Sequence, residues 1–300
     1  MAIYAFVTVD VFTTQRFGGN PLAVFPDARG LSDAQMQALA NEFNLSETTF
    51  VLPPDDPANT ARVRIFNRTH EMPFAGHPNV GTAFVLAKQH QDRGGVLRFE
   101  EIAGLVEIKV ARDAAGAVTG ATIAAPQPLV LGPCLPADAI AACAGLEMAD
   151  VIVAAHQPVQ ASVGNTFVLA EVSAAALARA LPDIGQFRRV RAAWPALNGR
   201  LSLYLYAHDG RRIRARMFAP LAGTHEDPAT GSAATPLAAL LLSLTSKADV
   251  ACDIIQGVEM GRPSLLHATA WRSDDGLRAS VGGSCVPVLR GEACVGSPAG

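Results

Sequence analysis

The peptide THEMPFAG occupies residues 69–76, and a second peptide, THEDPATG, occupies residues 224–231. They share Thr, His, Glu, Pro and Gly in the same order and are separated by 155 residues. Each peptide follows an Arg-x-Phe segment (Arg64–Phe66 and Arg216–Phe218) and runs directly into an apolar segment. The repeated context predicts two homologous halves related by a pseudo-twofold axis.

The length of the chain is compatible with two such halves. It has 300 residues, of which 50% are apolar and 17% charged, a composition that excludes a disordered protein. A Pro/Gly-rich segment at 126–136 is the best candidate boundary. We therefore predict an N-terminal half over 1–126 and a C-terminal half over 127–282, whose closing strands can return to the first domain, and a frayed tail over 291–300.

Local patterns predict an α+β architecture. Ser32 and Gln35 make a capping box for a helix over 32–43. The segment 78–90 carries apolar residues on all sides, which is typical of a helix surrounded by sheet, and an Ala/Leu-rich helix over 233–244 takes the same place in the second half. Predicted strands of the first half cover 3–12, 22–25, 47–53 and 61–66, followed by a meander of three strands over 96–126.

Composition also excludes several classes of function. The net charge is −3 and no Lys/Arg run is present, so we expect no nucleic-acid partner. The longest apolar run, at 235–244, is too short to span a bilayer, and the N-terminus resembles no signal peptide, which predicts a soluble cytoplasmic protein without a membrane partner. Five cysteines form no CxxC pair, and no His/Cys spacing predicts a metal site.

A glycine at the start of a helix leaves backbone N–H groups free to bind an anion such as a carboxylate. Two such starts facing each other across a domain cleft would hold one small acidic substrate. The side chains and glycines placed to contact it are Gly76, His77 and Asn79 in the first half and Asp227, Thr230, Gly231 and Ser232 in the second.

Five motifs resemble one known family. FGGNPLAVF near the start, NLSETTFV (44–51), PFAGHPNVGTA (73–83), EDPATGSA (226–233) and QGVEMGRPS (256–264) are similar to the PhzF-like phenazine-biosynthesis family, over about residues 3–285. That family belongs to the diaminopimelate-epimerase and proline-racemase fold group. The resemblance implies two domains, each a curved, barrel-like mixed sheet around a central helix, with the site in the cleft between them.

The resemblance also implies an isomerase that transfers a proton between carbons without metal, flavin or pyridoxal phosphate. Glu47, in NLSET, matches the family's acid/base, and His77, Asp227, Gly76, Gly231 and Ser232 match other site positions. A carboxyl group buried in an apolar cleft becomes a stronger base, so we expect Glu47 to take a proton from one carbon and return it to another. His77, the second predicted catalytic residue, is a second relay or a hydrogen-bonding group. Asp227, the third, holds a substrate amino or hydroxyl group, orients His77 across the cleft, or caps the helix.

Three alternatives stay open at this point. A racemase or dehydratase acting on a hydroxyproline-like amino acid would favour cysteines at the helix starts, and His77 and Ser232 stand there. A binding protein that has lost turnover would retain the fold. Phenazine precursors, such as trans-2,3-dihydro-3-hydroxyanthranilate, are substrates that the resemblance permits and does not require.

The family also suggests a homodimer. For His70, His225 and Arg262 we favour structural or surface roles.

Overall fold

The computed structural model describes residues 2–197, 199 and 201–296. The chain forms two compact units. The first comprises the chain up to Ala124 and again from Gly282 onwards, and the second comprises Ala125–Val281. The chain passes from the first unit to the second after Ala124, two residues before the boundary predicted after residue 126.

The described part of the first unit contains helices α1 (Asp33–Phe43) and α2 (Gly76–Lys88). Its strands are β1 (Ala2–Val11), β2 (Asn20–Phe25), β3 (Thr48–Leu52), β4 (Ala61–Phe66), β5 (Glu71–Met72), β6 (Val96–Glu101), β7 (Gly104–Arg112) and β8 (Val118–Ala124).

The second unit contains helices α3 (Ala137–Ala144), α4 (Ala174–Arg179), α5 (Ile184–Ala193) and α6 (Gly231–Ser243). Its strands are β9 (Val130–Cys134), β10 (Val151–Ile152), β11 (Val159–Ser162), β12 (Thr166–Val172), β13 (Leu203–Asp209), β14 (Arg212–Ala219), β15 (Thr224–Asp227), β16 (Asp249–Gln256) and β17 (Ser264–Ser273). The last strand, β18 (Gly276–Val295), begins in this unit and continues into the first.

The sheet of the first unit closes into a barrel around α2. Strand pairing runs β1, β2, β3, β4, β6, β7, β8, β18 and back to β1, with β2–β3 and β4–β6 parallel. Helix α2 contacts β1, β2, β3, β7 and β8, and every residue from Gly76 to Ala87 is buried. A helix that is apolar on all sides needs such a surrounding sheet, which confirms the predicted central helix.

The second unit repeats this order of pairing. Strands β9, β11, β12, β13, β14, β16, β17 and β18 pair in turn, again with two parallel pairs, β12–β13 and β14–β16. The Leu129 and Ala125 N–H groups donate to the Leu277 and Ala279 carbonyls at 2.7 and 2.8 Å and close the ring. Helix α6 contacts β11, β12, β16 and β17 from inside. The prediction of two similar α+β halves, each with a barrel-like sheet around a helix, is confirmed.

The repeated peptide has a structural role in both units. In the first, the Arg64 guanidinium donates to both carboxylate oxygens of Glu71 at 2.6 and 2.7 Å, and its Cζ lies 5.1 Å from the ring centre of the phenylalanine two residues on. In the second, Arg216 makes the same bidentate contact with Glu226 at 2.8 and 2.9 Å and lies 4.9 Å from the equivalent ring. The shared glutamate therefore fastens each peptide to the Arg-x-Phe strand before it.

The prediction of a frayed tail over 291–300 is wrong for residues 291–295. They form the end of β18 and pair with β1, from Gly291 opposite Phe6 to Val295 opposite Ala2. The ring of Phe6 packs directly over Gly291, where a Cβ atom would lie 2.7 Å from the ring. Residues 297–300 lie outside the described residues. Within the described residues, no helix has the length and apolar character needed to cross a membrane.

Gly81 lies in α2 against the barrel wall, and replacing it with alanine should destabilise the fold. The new Cβ would lie 2.6 Å from Leu22 Cδ2 and 2.8 Å from Val11 Cγ2, and both side chains are fully buried. Overpacking of this kind costs about 1–3 kcal/mol, more than the gain in helix propensity of about 1 kcal/mol. Urea unfolding of Gly81→Ala should show a lower midpoint at an unchanged m value. An unchanged or higher midpoint would contradict the packing described.

Candidate functional site

The start of α2 carries polar side chains in an apolar barrel. Ala75 is the N-cap residue, so no side chain caps the helix, and Gly76 is its first residue. His77 and Asn79 follow in the first turn and are 6% and 0% exposed. The first backbone N–H groups of the helix have no partner within the helix, and the helix dipole makes this end favourable for negative charge.

Glu47 meets His77 at this helix start. Glu47 directly precedes β3, and its Oε2 lies 3.4 Å from Nδ1 of His77. The Glu47 side chain is 17% exposed. Folding therefore brings together the first two predicted catalytic residues, which stand 30 positions apart in the sequence. A contact of 3.4 Å is longer than a tight N–H···O bond.

His77 is a neutral imidazole at neutral pH. Burial lowers the pKa of His77 to about 3, and a hydrogen bond to the backbone of Pro21 offsets this only in part. The contact with Glu47 is consequently not an ion pair. Nε2 of the ring is shut off from solvent and has no hydrogen-bond partner among the described residues. The ring can give or accept a hydrogen bond, but it does not supply a positive charge.

The buried His77 should weaken the fold in acid. Its ordinary pKa is 6.5, so the unfolded chain takes up the proton first and stability is lost as the pH falls from about 6.5 towards 3, by up to about 1.4 kcal/mol per pH unit. The variant His77→Gln lacks this titration and should show a flatter decline. Urea unfolding between pH 7.5 and 4.5 measures the difference, with His70→Gln at an exposed position as control. Equal slopes for wild type and His77→Gln would contradict the burial described.

The start of α6 is held by a network of polar groups. Thr230 is its N-cap residue, and its Oγ1 donates to Asp227 Oδ2 at 2.5 Å. The Gln256 amide donates to the Asp227 carbonyl at 2.8 Å and to Thr230 Oγ1 at 2.9 Å. Its oxygen accepts from the Thr230 N–H and the Tyr204 hydroxyl, both at 3.1 Å. Thr230 therefore holds the N-cap position, but its side chain donates to Asp227 and makes no capping hydrogen bond to the helix.

Gln256 is a site residue that the sequence did not reveal. It is 1% exposed and ends β16 as the first residue of the motif QGVEMGRPS, within which only Arg262 stood out on sequence grounds. The available signal was its position relative to the repeat, because Gln256 follows Glu101 at the same interval of 155 residues that separates the two peptides.

The structure brings the predicted residues together in two groups. Gly76, His77 and Asn79 lie with Glu47 at the start of α2. Thr230, Gly231 and Ser232 follow Asp227 at the start of α6. That both groups act on one substrate stays a prediction. His70 and His225 are exposed. Across 2–197, 199 and 201–296, no three His, Cys, Asp or Glu side chains are grouped as potential metal ligands.

Comparison with known proteins identifies the family. The family model described as phenazine biosynthesis-like protein matches residues 9–291. Trans-2,3-dihydro-3-hydroxyanthranilate isomerase of Pseudomonas aeruginosa is 38% identical over 273 residues, which cover 89% of this chain and 91% of the relative. An uncharacterized isomerase of Mesorhizobium japonicum is 38% identical over 96% of this chain and 97% of its own length.

Solved structures agree with the barrel architecture. A Bacillus anthracis phenazine biosynthesis protein of the PhzF family superposes with a TM-score of 0.86 at 24% identity, covering 98% of this chain and all of that one. A hydroxyproline epimerase of Agrobacterium vitis has a TM-score of 0.62 at 13% identity, covering 99% of this chain and 94% of that one, and shows a shared fold alone. From the family match and the isomerase relatives, the chain belongs to the phenazine biosynthesis-like family and is an isomerase.

Proposed function

We propose that this isomerase moves a proton from one carbon to another of a small carboxylated substrate, with Glu47 as the acid/base. The observation that carries the proposal is the contact between Glu47 and the buried, neutral His77 at an uncapped helix start. A carboxylate beside an anion-binding helix start can remove a proton next to a bound carboxylate group.

The roles of the two residues follow from their charge states. A His77 ring with a pKa of about 3 is a weak base, so it orients Glu47 or the substrate through hydrogen bonds and leaves proton transfer to the carboxylate. The Gly76 and His77 backbone N–H groups are proposed to hold the substrate carboxylate, and Asn79 lies in the same turn. We assign Asp227, Thr230, Gly231 and Ser232 to a polar group of the same substrate.

The relatives suggest the first substrate to test. Proteins 36–38% identical to this chain are named trans-2,3-dihydro-3-hydroxyanthranilate isomerases, so a dihydroaromatic amino acid is our leading candidate. The purified protein should be incubated with that compound, with cis- and trans-hydroxyproline and with simple 2-hydroxy acids. Conversion is followed by ¹H NMR and chiral chromatography.

Each result of that panel has a distinct meaning. A shifted double bond in the dihydroaromatic acid supports the proposal. Inversion of hydroxyproline would replace it with a racemase, although none of Cys134, Cys143, Cys252, Cys285 and Cys294 lies at a helix start. Saturable binding of a panel compound without any conversion would replace it with a binding protein.

A further inference from the structure

A second carboxyl group lies in the first barrel below the start of α2. Glu101 is the last residue of β6, and both of its carboxyl oxygens are shut off from solvent without a hydrogen-bond partner. The carbonyl oxygen of the Asn79 side chain is buried and lacks a partner as well. Buried polar groups are rarely left unpaired, and an unpaired buried carboxylate is especially costly.

A proton on Glu101 would supply a donor to a place where the unpartnered polar atoms are acceptors. A carboxylate and the Asn79 oxygen are both acceptors, whereas a carboxylic acid has an O–H to donate. Burial raises the pKa of Glu101 to about 8, and the nearby Asn79 amide moderates this rise without reaching either oxygen in a bond of normal geometry. The other end of the Asn79 side chain donates to the Ala75 carbonyl at 3.1 Å, directly before the helix.

The second barrel shows what a neutral group does at this place. Gln256 ends β16 as Glu101 ends β6, and each of these strands runs parallel to an Arg-x-Phe strand. The Gln256 amide binds the Asp227 carbonyl and both the N–H and the hydroxyl of Thr230, and so fixes the start of α6. Glu101 is the counterpart of Gln256 at the start of α2.

We propose that Glu101 is a neutral carboxylic acid in the folded protein at neutral pH and donates a hydrogen bond to Asn79 Oδ1, which positions the start of α2. It is a positioning residue that acts through Asn79 and Ala75. The inference is independent of which substrate the site takes.

Charged groups around Glu101 do not supply a counter-ion. Glu101 lines a cavity of about 330 Å³ together with the charged side chains Asp55, Arg62, Arg64, Glu71 and Glu100. Arg62 lies 3.5 Å from Asp55, and Arg64 is paired with Glu71. Glu100 accepts hydrogen bonds from Asn59 and from two backbone N–H groups. Among the described residues no cation is paired with Glu101. The titratable groups at the start of α2 are Glu47 and the neutral His77.

The test measures how stability depends on pH in Glu101→Gln, whose amide keeps the donor and cannot ionise. Since the pKa of Glu101 rises from 4.5 unfolded to about 8 folded, the wild type loses stability as the pH rises through this range. The ratio of unfolding constants, wild type over Glu101→Gln, should increase by up to about tenfold per pH unit and level off above 8. The ratio cancels the contribution of His77, which both proteins share. Titration of His77 lowers stability as the pH falls below 6.5, opposite to the effect of Glu101.

Two further measurements separate positioning from packing. Amide hydrogen exchange of residues 79–83, the first hydrogen-bonded turn of α2, should after correction for intrinsic rates be faster in the wild type than in Glu101→Gln at pH 9 and equal at pH 6. Glu101→Ala removes the donor, so these amides should exchange faster in Glu101→Ala than in Glu101→Gln at both pH values. The neighbouring Glu100→Gln is the matched control, because hydrogen bonds lower the pKa of Glu100 and place its titration below pH 4.5.

Two results would overturn the proposal. A ratio of unfolding constants that does not change between pH 5 and 8 would show that Glu101 is already ionised. If Glu101→Gln were as unstable to unfolding as Glu101→Ala at pH 6, the carboxyl group would be needed as an anion and not as a hydrogen-bond donor.

Discussion

Replacing Glu47 with glutamine should lower the turnover number by roughly 10² to 10⁴, the usual contribution of a positioned acid/base. The amide keeps the shape of the side chain but cannot take up the proton, so substrate binding and the fold should change little. His77 cannot take over the proton transfer, because burial lowers its pKa to about 3 and leaves it a weak base. Steady-state kinetics on the identified substrate measures the loss.

The control is Glu42→Gln, on an exposed position of α1 five residues before Glu47, which should keep full turnover. Circular dichroism and urea unfolding must agree for wild type and Glu47→Gln. A Glu47→Gln enzyme that retains more than about a tenth of the wild-type turnover would not fit an acid/base whose contribution is at least about 10².

The second large effect is a loss of stability in Arg216→Met of about 3–5 kcal/mol, because removing one partner leaves the other buried charge uncompensated. Arg216 is 4% exposed and pairs with Glu226 through two hydrogen bonds. Its Nη1 also donates to the carbonyls of Leu177 and Ala180 at 3.0 and 2.8 Å. All of these acceptors would lose their donor at once.

The repeat provides a matched control for this prediction. Arg64 makes the same bidentate contact with Glu71, but its side chain is 19% exposed and its additional partner is the exposed Asp33. Water can replace those contacts, so Arg64→Met should cost clearly less than Arg216→Met in guanidinium unfolding. Equal losses in the two variants, or a neutral Arg216→Met, would contradict the difference in burial described.

Local structure was largely predictable where one segment decides it. Ser32 and Gln35 form the predicted capping box, with Asn44 in the left-handed conformation at the other end of α1. Segment 78–90 is apolar on all sides, which indicated a buried helix. The structure explains this pattern, because strands surround α2. The closure of each sheet into a barrel came only with the family resemblance, since closure depends on pairing between distant strands.

Only part of β18 could be read from its own residues, because the sequence predicted a closing strand over 276–289 and a frayed tail from 291. Gly282, Gly283 and Gly291 and the proline at 287 are typical of turns, yet the strand continues through all of them for 20 residues. Gly282 and Gly291 are needed because Thr122 of β8 and the Phe6 ring, respectively, approach the backbone closely. The residues that require these glycines, such as Phe6, are distant in the sequence and are known only from the fold.

The candidate site was only partly visible in the sequence. Glu47 and His77 were found through family motifs, and their contact at 3.4 Å required the folded chain. Gln256 opens the family motif QGVEMGRPS without having been singled out in it, and Glu101 lies in none of the quoted motifs. A comparison of the two halves at an interval of 155 residues would have aligned them, but only the barrels show that each ends a strand beside a helix start.

The most direct test of the central claim is hydrogen exchange at the substrate carbon in D₂O, followed by NMR for wild type and Glu47→Gln at saturating substrate. The account predicts that wild type incorporates deuterium at the carbon that gains or loses the proton and that Glu47→Gln, with substrate still bound, incorporates none above background. Incorporation that survives in Glu47→Gln would contradict the assignment of Glu47 as the acid/base.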